Sequence, residues 1–261
     1  MTALRPNPEK KLRIETKWGN YCRFPVKTKV VYKGDVLTDI MDEYVKPFIK
    51  DGDMIFISEK IVAISQGRAF DIDDIKPSRL AKFLCKFVYK SPYGIGLGSP
   101  WTMELALRDV GAPKIIFAAL CSAVTKLFGI RGVFYKIVGE KARAIDGPCD
   151  CTLPPYNHYA KLAPYKPNDV AADLQKHTGC KVVVMDANDI GREILGRSDS
   201  AIEIDFCKAV FEDNPLPKLT ADTDCHCPQR GKHQRRCSSR RQRQIKLHQK
   251  KYRRLFLNKR R

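Results

Sequence analysis

The sequence predicts a mixed α/β fold of the α+β kind for residues 1–217, followed by a basic segment, residues 218–261, of a different character. Stretches with helical spacing of apolar residues alternate with short β-branched runs, which favours this class over a β-sandwich. The apolar content of 43% is enough for a buried core. From Thr220 onwards the apolar periodicity stops, so we expect the basic segment to be disordered on its own.

Five elements are predicted in the first third of the chain. Residues 27–34 have the β-branched composition of a strand, and residues 36–49 place apolar side chains at the i, i+3, i+4, i+7 spacing of an amphipathic helix. Two apolar runs, 54–58 and 61–65, predict two further strands separated by two charged residues. A second helical stripe covers residues 77–90 and begins with proline and serine, which are typical of helix starts.

The rest of the body continues this alternation. The patterns predict helices at 102–110 and 114–128, a strand at 133–139, a helix at 169–177 and a strand at 181–189. The helix at 114–128 is apolar nearly all round, so we expect it to be buried. A long proline-rich stretch precedes the third helix of this set, and its aromatic and aliphatic content favours a functional loop over a disordered one.

The sequence predicts neither a membrane span nor a secretory leader. The longest apolar run, residues 115–124, is far below the roughly 20 residues needed to cross a bilayer. The N-terminal residues are polar and charged where a leader would be apolar. Ten cysteines lie mostly in apolar stretches without the spacing of a disulfide scaffold, so we expect most of them to be reduced core residues. These features predict a cytoplasmic protein without a membrane partner.

The net charge of +19 is distributed very unevenly along the chain. Residues 218–261 contain 16 Lys and Arg against 2 Asp, a net charge of +14. The remaining residues contain 32 Lys and Arg against 27 acids, a net charge of +5. A charge of +5 is ordinary for an enzyme and requires no polyanionic partner. We therefore predict two regions, a body at 1–217 and a basic tail at 218–261.

Two aspartates follow apolar runs, at the position where open α/β sheets bind their ligands. Asp146 follows residues 142–145 and opens the proline-rich stretch, and Asp186 follows residues 181–185. Carboxylates are hard oxygen ligands of the kind that Mg²⁺ and Mn²⁺ prefer, and these ions often bridge to nucleotide phosphates. Aspartate also begins many turns without binding anything, so the spacing alone leaves both interpretations open.

Three segments, taken in order, resemble the coenzyme F-420 γ-glutamyl ligase family. GDMIFISEKIVAISQGR resembles the Gly-Asp, apolar strand and Gly-Arg segment of that family. AIDGPCDCTLPPYNHYAKLAPYKPNDVAADLQ is similar in order and length to its Asp-containing loop, Leu-Pro-Pro segment and Asp-led helix. KVVVMDANDIGREILG resembles its second metal-binding strand end. Together the three segments extend the resemblance over residues 25–200.

The resemblance implies a ligase that joins L-glutamate to the lactyl carboxylate of a phosphorylated deazaflavin. Such an enzyme uses GTP with Mn²⁺ or Mg²⁺, activates the carboxylate as an acyl phosphate and works as a homodimer. Asp146 and Asp186 match the metal-ligating aspartates of the family. The residues that we assign to nucleotide binding, from their places at element ends and in the matched segments, are Lys60, Arg68, Asp189 and Arg192.

The chain also departs from the family pattern. Pro148 and Cys149 stand where the family has Ser-Asn, and Ala187 stands where it has Thr. A non-catalytic ligand-binding protein on the same fold is therefore an alternative, and the acceptor of an active enzyme need not be the deazaflavin. The tail has no counterpart in the family. It is interpreted either as a nucleic-acid-binding arm or as the product of a reading-frame error after residue 217.

Overall fold

The computed structural model describes residues 11–88, 96–130, 132–149, 152–187 and 191–213, together with the backbone of residues 252–259. The chain divides into two compact units. Unit 1 comprises Met1–Ser65 and Lys166–Arg261, and unit 2 comprises Gln66–Tyr165. The chain thus leaves unit 1, forms unit 2 as one continuous insertion and returns to unit 1.

The elements alternate as the predicted fold class requires. Unit 1 begins with β1 (Arg13–Thr16), β2 (Gly19–Thr28), α1 (Leu37–Tyr44), β3 (Met54–Ser58) and α2 (Glu59–Ser65). Unit 2 contains β4 (Ala69–Asp71), α3 (Arg79–Leu84), α4 (Pro100–Val110), α5 (Ala112–Leu127), α6 (Val133–Val138), α7 (Glu140–Arg143) and β5 (Tyr159–Lys161). Unit 1 resumes with α8 (Pro167–Thr178), β6 (Lys181–Ala187), β7 (Arg192–Arg197), α9 (Ile204–Val210) and β8 (Tyr252–Lys259). The mixed α/β prediction is confirmed.

Unit 1 is built on a six-stranded sheet with the order β1-β2-β8-β3-β6-β7. β3 and β6 are parallel, and the other neighbouring strands are antiparallel. The middle of β3 and most of β6 are buried, as expected of apolar strands covered on both faces. Helix α9 packs a second apolar layer on this sheet, in which Phe211 lies 4.8 Å from Phe56 between ring centroids. This core fixes the strand ends that carry the candidate site.

Unit 2 is mainly helical around its own apolar core. Buried side chains of α4, α5, α6 and β5 form one cluster, with Met103, Ile115 and Val138 among its members. Ser78 begins α3 by accepting a hydrogen bond from the Ala81 amide, as its sequence position predicts. The short strands β4 and β5 pair antiparallel, with Asp71 opposite Tyr159. This pairing places the end of the proline-rich stretch beside β4.

Most of the predicted elements are confirmed, and three are wrong. The predicted strand at 61–65 is helix α2, and the predicted strand at 133–139 is helix α6. The predicted strand at 27–34 overlaps only the end of β2. The runs that form α2 and α6 are rich in β-branched residues, whose strand propensity is weak enough for tertiary packing to override. The ends of the predictions at 77–90 and 181–189 lie outside the described residues.

The predicted burial of the second apolar helix is also wrong. In α5 only Ile115 and Ala118 are buried, while Phe117, Leu120 and Leu127 are 60%, 63% and 85% exposed. Uniformly apolar composition does not indicate which face packs, and here one narrow face suffices to anchor the helix. Among the described residues no single helix is long and apolar enough to cross a membrane. α4 and α5 reach the required length and hydropathy only as a pair, which bends by 115°.

Within residues 218–261 the structure describes one element, β8, which the sequence did not predict. Its backbone lies between β2 and β3 in the sheet, with Phe24 paired to Phe256 and Met54 to Leu257. The boundary at residue 217 therefore remains a prediction from composition and family resemblance. The cysteine prediction is confirmed for Cys22, Cys85, Cys180 and Cys207, which are free and buried. Cys149 is disulfide-bonded.

Candidate functional site

The carboxyl ends of β3 and β6 form one edge of the sheet in unit 1. These strands are parallel, and Ser58 is paired with Met185. Lys60 follows Ser58 by two positions, and Asp186 directly follows Met185. The chain leaves its buried apolar runs at this point, so both residues are half-buried. The structure thus brings a predicted phosphate-binding cation and a predicted metal ligand to the same sheet edge.

Strand β7 adds a second carboxylate to this edge. Asp186 is paired with Glu193 across the antiparallel β6–β7 ladder, and Ala187 is paired with Arg192. Side chains directly opposite each other extend from the same face of the sheet, and two like charges in this arrangement destabilise it. A cation that binds both carboxylates would offset that repulsion. Sequence reasoning identified Asp186 and Arg192 but missed Glu193.

One basic side chain lies close to Glu193, and a second basic residue, Arg192, precedes it in β7. Lys208 of α9 has its Nζ 3.8 Å from the Glu193 Oε2 atom. The guanidinium of Arg192 donates a hydrogen bond to the Lys208 carbonyl oxygen at 3.3 Å. The edge therefore combines carboxylates with cations, which is the composition that binds a metal ion together with a phosphate. Asp189, the remaining predicted residue in this region, lies outside the described residues.

Glu59 is an additional buried carboxylate at the same edge. It is the first residue of α2 and is only 1% exposed. A carboxylate in the first turn of a helix is stabilised by the positive end of the helix dipole. Buried carboxylates are rare in proteins unless they are paired. This burial was not predicted, because Glu59 was expected only to separate two strands.

Asp146 belongs to unit 2, where it is held by the end of β5. Its amide and carbonyl exchange hydrogen bonds with the backbone of Lys161, at 3.0 and 2.8 Å. The Lys161 ammonium is 3.6 Å from the Asp146 Oδ2 atom and donates to the Ala144 carbonyl at 3.2 Å. The side chain of Lys161 is 7% exposed and that of Asp146 is 43% exposed. Asp146 thus offers an accessible carboxylate that is stabilised from behind by a nearly buried cation.

Lys161 was missed by sequence reasoning, although one signal could have identified it. It lies in the run Tyr159–Ala163, where its neighbours Ala160 and Leu162 are buried. A lysine inside a short apolar strand is unusual, since lysine is almost never fully buried unless it is paired. Its proximity to Asp146 depends on the β-bridge between the two residues, which a single sequence does not reveal.

Arg68 also lies in unit 2, where its guanidinium binds a backbone carbonyl and a carboxylate of the same unit. Its Nε atom donates to the Ala163 carbonyl at 2.5 Å, and its Nη2 atom is 2.6 Å from the Asp109 Oδ1 atom. The side chains of Arg68 and Asp109 are 19% and 14% exposed. In this arrangement Arg68 connects the segment after β5 to the C-terminal turn of α4. Its assignment to nucleotide binding stays a prediction.

A separate group of possible metal ligands occurs in unit 2. Ligand atoms of Asp71, Asp73 and His158 all lie within 4.8 Å of one another. The pairing of Asp71 with Tyr159 places His158 beside β4, and the Asp71 Oδ1 atom is 3.7 Å from the His158 Nδ1 atom. Asp71 is half-buried and the other two residues are exposed. Exposed acidic groups of this kind are common without an ion, so the cluster serves below as a control.

Comparison with known proteins gives two matches. A family model described as F420-0:Gamma-glutamyl ligase matches residues 25–202. An uncharacterized protein of Methanocaldococcus jannaschii is 27% identical over 172 residues, which cover 63% of this chain and 56% of that relative. The chain thus spans little more than half the length of the relative. The matched range agrees with the predicted one, residues 25–200, and confirms the resemblance.

Proposed function

Because the chain belongs to the F420-0:gamma-glutamyl ligase family, we propose that it joins a small carboxylate to an amino acid with GTP as co-substrate. The carboxylate oxygen attacks the γ-phosphorus of GTP, which forms an acyl phosphate and releases GDP. The amino group of the amino acid, after losing a proton, attacks the acyl carbon and displaces phosphate. The products are an amide, GDP and phosphate. The observation that carries the proposal is the strand-end edge at which Asp186 faces Glu193.

The residues at this edge fit a divalent cation. Asp186 and Glu193 offer hard carboxylate oxygens, which suit Mg²⁺ and Mn²⁺ better than softer metals. In unit 2, Asp146 offers a separate accessible carboxylate. A bound divalent cation would neutralise the phosphoryl oxygens while charge moves to the leaving group. We therefore propose that Asp186 and Glu193 are metal ligands in unit 1 and that Asp146 is a metal ligand in unit 2, with Mn²⁺ or Mg²⁺ as the metal.

The basic residues have two different roles in this proposal. Lys60 and Arg192 lie at the strand ends and would bind phosphate oxygens of GTP, with Asp189 contributing from the adjoining segment. Arg68 is already bound to Asp109 and the Ala163 carbonyl, so it would act by positioning the segment after β5. Lys161, whose ammonium is 3.6 Å from the Asp146 Oδ2 atom, would hold that carboxylate in position. The homodimer and the identity of both organic substrates remain part of the proposal.

Titration of Mn²⁺ with GTP tests the metal ligands. We expect Asp186→Asn and Glu193→Gln to weaken Mn²⁺-dependent GTP binding by tenfold or more, since each removes a charged ligand. Asp173→Asn is the matched control for unit 1, because Asp173 is 71% exposed and is paired only with Lys176 in the ion pairs of the described residues. Unchanged binding in both ligand variants would refute the proposed edge site.

A second titration compares the two acidic sites of unit 2. We expect Asp146→Asn to weaken Mn²⁺-dependent GTP binding, and Asp73→Asn to leave it unchanged. The reverse result would indicate that the metal binds at the cluster of Asp71, Asp73 and His158 and not at Asp146. Catalysis is then measured as GDP release with a series of carboxylates and amino acids. Release that requires both organic substrates would support the ligase reaction.

A non-catalytic ligand-binding protein is a second candidate, favoured by one feature of the site region. Pro148 and Cys149 replace the Ser-Asn of the family shortly after Asp146, and Cys149 is disulfide-bonded. GTP binding with Mn²⁺ but without GDP release from any substrate pair would favour this candidate over the ligase.

Nucleic-acid binding through residues 218–261 is a third candidate, which rests on their net charge of +14. Deletion of the whole segment would also remove β8 from the sheet. This deletion is therefore less informative than a variant in which the basic residues at 230–243 are replaced by glutamine. Retention of DNA at low salt should be lost in that variant, and unchanged retention would contradict the idea.

A further inference from the structure

Helix α5 presents a continuous apolar face to the outside of unit 2. Six large apolar residues between positions 116 and 128 are at least 38% exposed, namely Ile116, Phe117, Leu120, Val124, Leu127 and Phe128. At about 100° per residue, the five of them that belong to α5 lie within an arc of about 100° on one side of the helix, and Phe128 directly follows its last residue. Ile115 and Ala118 lie on the other side and anchor the helix in the core. One side of α5 therefore packs in the core of unit 2, while its opposite, apolar side is exposed.

The charged residues on α5 and in the chain directly before and after it are all positive. Lys114 and Lys126 are exposed and lie beyond the two edges of the apolar arc, one on each side. Between Asp109 and Glu140 the sequence contains four Lys and Arg and no acidic residue. The apolar face is thus flanked by cations, with no carboxylate in the same stretch of chain to neutralise them.

We propose that the apolar face of α5 binds the surface of a membrane that contains anionic phospholipids. A helix of this kind lies in the plane of the interface, with Phe and Leu side chains among the acyl chains and lysines at the level of the headgroups. Lysine side chains are long enough for their ammonium groups to reach anionic headgroups while the stem covers apolar surface. α5 does not need to span the bilayer, since its opposite face is held in the core of unit 2.

The charges favour a lipid surface over a second copy of the chain. Two copies that met through this face would bring Lys114 and Lys126 of each helix close to those of the other. No acidic residue of α5 could pair with them, so like charges would repel at the edges of the contact. An anionic membrane instead neutralises the lysines and also covers the apolar face. Large exposed apolar patches of this kind mark interaction sites in proteins.

Flotation of the full-length protein with vesicles tests the proposal. We expect binding to vesicles of phosphatidylcholine with phosphatidylglycerol, and weaker binding to phosphatidylcholine alone. The double variant Leu120→Glu, Leu127→Glu should lower the partition coefficient for anionic vesicles by tenfold or more. Both leucines are mostly exposed, so these substitutions remove no core contact. Circular dichroism before flotation establishes that the variant is folded.

The matched control is Phe83→Glu, Phe87→Glu. These residues are 57% and 71% exposed in the same unit, and the control makes the same change of charge away from α5. Binding in the control should equal that of the unsubstituted protein. Undiminished binding in the leucine variant would overturn the proposal and place the lipid contact elsewhere, with the basic residues 218–261 as the first candidate. A different outcome would assign the face to a second copy of the chain. In that case the unsubstituted protein does not bind vesicles and sediments as a dimer, and the leucine variant sediments as a monomer.

Discussion

Replacing Arg23 by methionine tests how the sheet of unit 1 is joined to the segment after α9. The Arg23 side chain is fully buried, yet it is charged and lies on β2. Its guanidinium donates to the Val210 carbonyl at 3.1 Å and to the Lys11 carbonyl at 2.7 Å. It also forms a bidentate ion pair with Asp213. One side chain thus connects three separate segments of the unit.

The expected loss of stability follows from these contacts. Breaking a buried ion pair by removing one partner costs about 3 to 5 kcal/mol. The value here should lie at the lower end, about 3 kcal/mol, because Asp213 is 39% exposed and stays hydrated when Arg23 is removed. Methionine fills part of the volume but satisfies neither carbonyl. A loss of about 3 kcal/mol corresponds to a Tm lower by roughly 6 to 12 °C for a protein of this size.

Urea unfolding followed by circular dichroism gives the free energy of unfolding directly. Arg13→Met is the matched control, because Arg13 is exposed on the neighbouring strand β1, and this change should stay within about 0.5 kcal/mol. A loss below about 1 kcal/mol for Arg23→Met would refute the reasoning. In that case the three contacts would not stabilise the unit beyond what a buried apolar side chain provides.

Two further predictions concern one site in each unit. Gly196→Ala should destabilise the protein by about 1 to 3 kcal/mol in urea unfolding, since a Cβ atom at Gly196 would lie 2.5 Å from the backbone oxygen of Pro167; an unchanged unfolding midpoint would contradict this. Burial of Glu104 alone would raise the pKa of its carboxyl, but hydrogen bonds from Ser78 and Arg108 outweigh that effect and lower the pKa below its usual value. Glu104 therefore contributes stability that is present above its unfolded pKa and is lost as the pH falls through the lower folded pKa. Glu104→Gln should be less stable at neutral pH and should lose less stability than the unsubstituted protein between about pH 5 and pH 3, and parallel pH profiles would contradict the assignment.

Local sequence patterns were sufficient to predict an element wherever its apolar residues followed a single period, helical or strand-like. The spacing of apolar residues predicted α1, α3, α4, α5 and α8, and the apolar run of β6 predicted a buried strand. Local patterns failed to predict α2 and α6, because these helices contain β-branched residues that are typical of strands. Periodicity also could not show which side of α5 packs, because nearly all of its residues are apolar. That information lies in the neighbouring elements, and only Ile115 and Ala118 on this helix are buried against them.

The candidate site was predictable in part, for a similar reason. Asp186 could be placed at a strand end from the apolar run before it, and Asp146 from the matched loop. The burial of Lys161 and Glu59 could not be predicted, and the bridge between Lys161 and Asp146 joins residues that are separate in the sequence. Sequence position predicts what a residue could do chemically, while burial and pairing decide whether it is held in place to do it.

Glu193 shows most clearly how strand register determines the site. Val184 is paired with Gly196, but Met185 is paired with Ile194, so the ladder contains a bulge at Leu195. If the register of Val184 and Gly196 continued without the bulge, Asp186 would be paired with Ile194, and Glu193 would lie on the other face of the sheet. The bulge therefore creates the pair of opposed carboxylates. Bulges commonly redirect side chains next to active sites, and this one lies directly beside the residues that we propose as metal ligands.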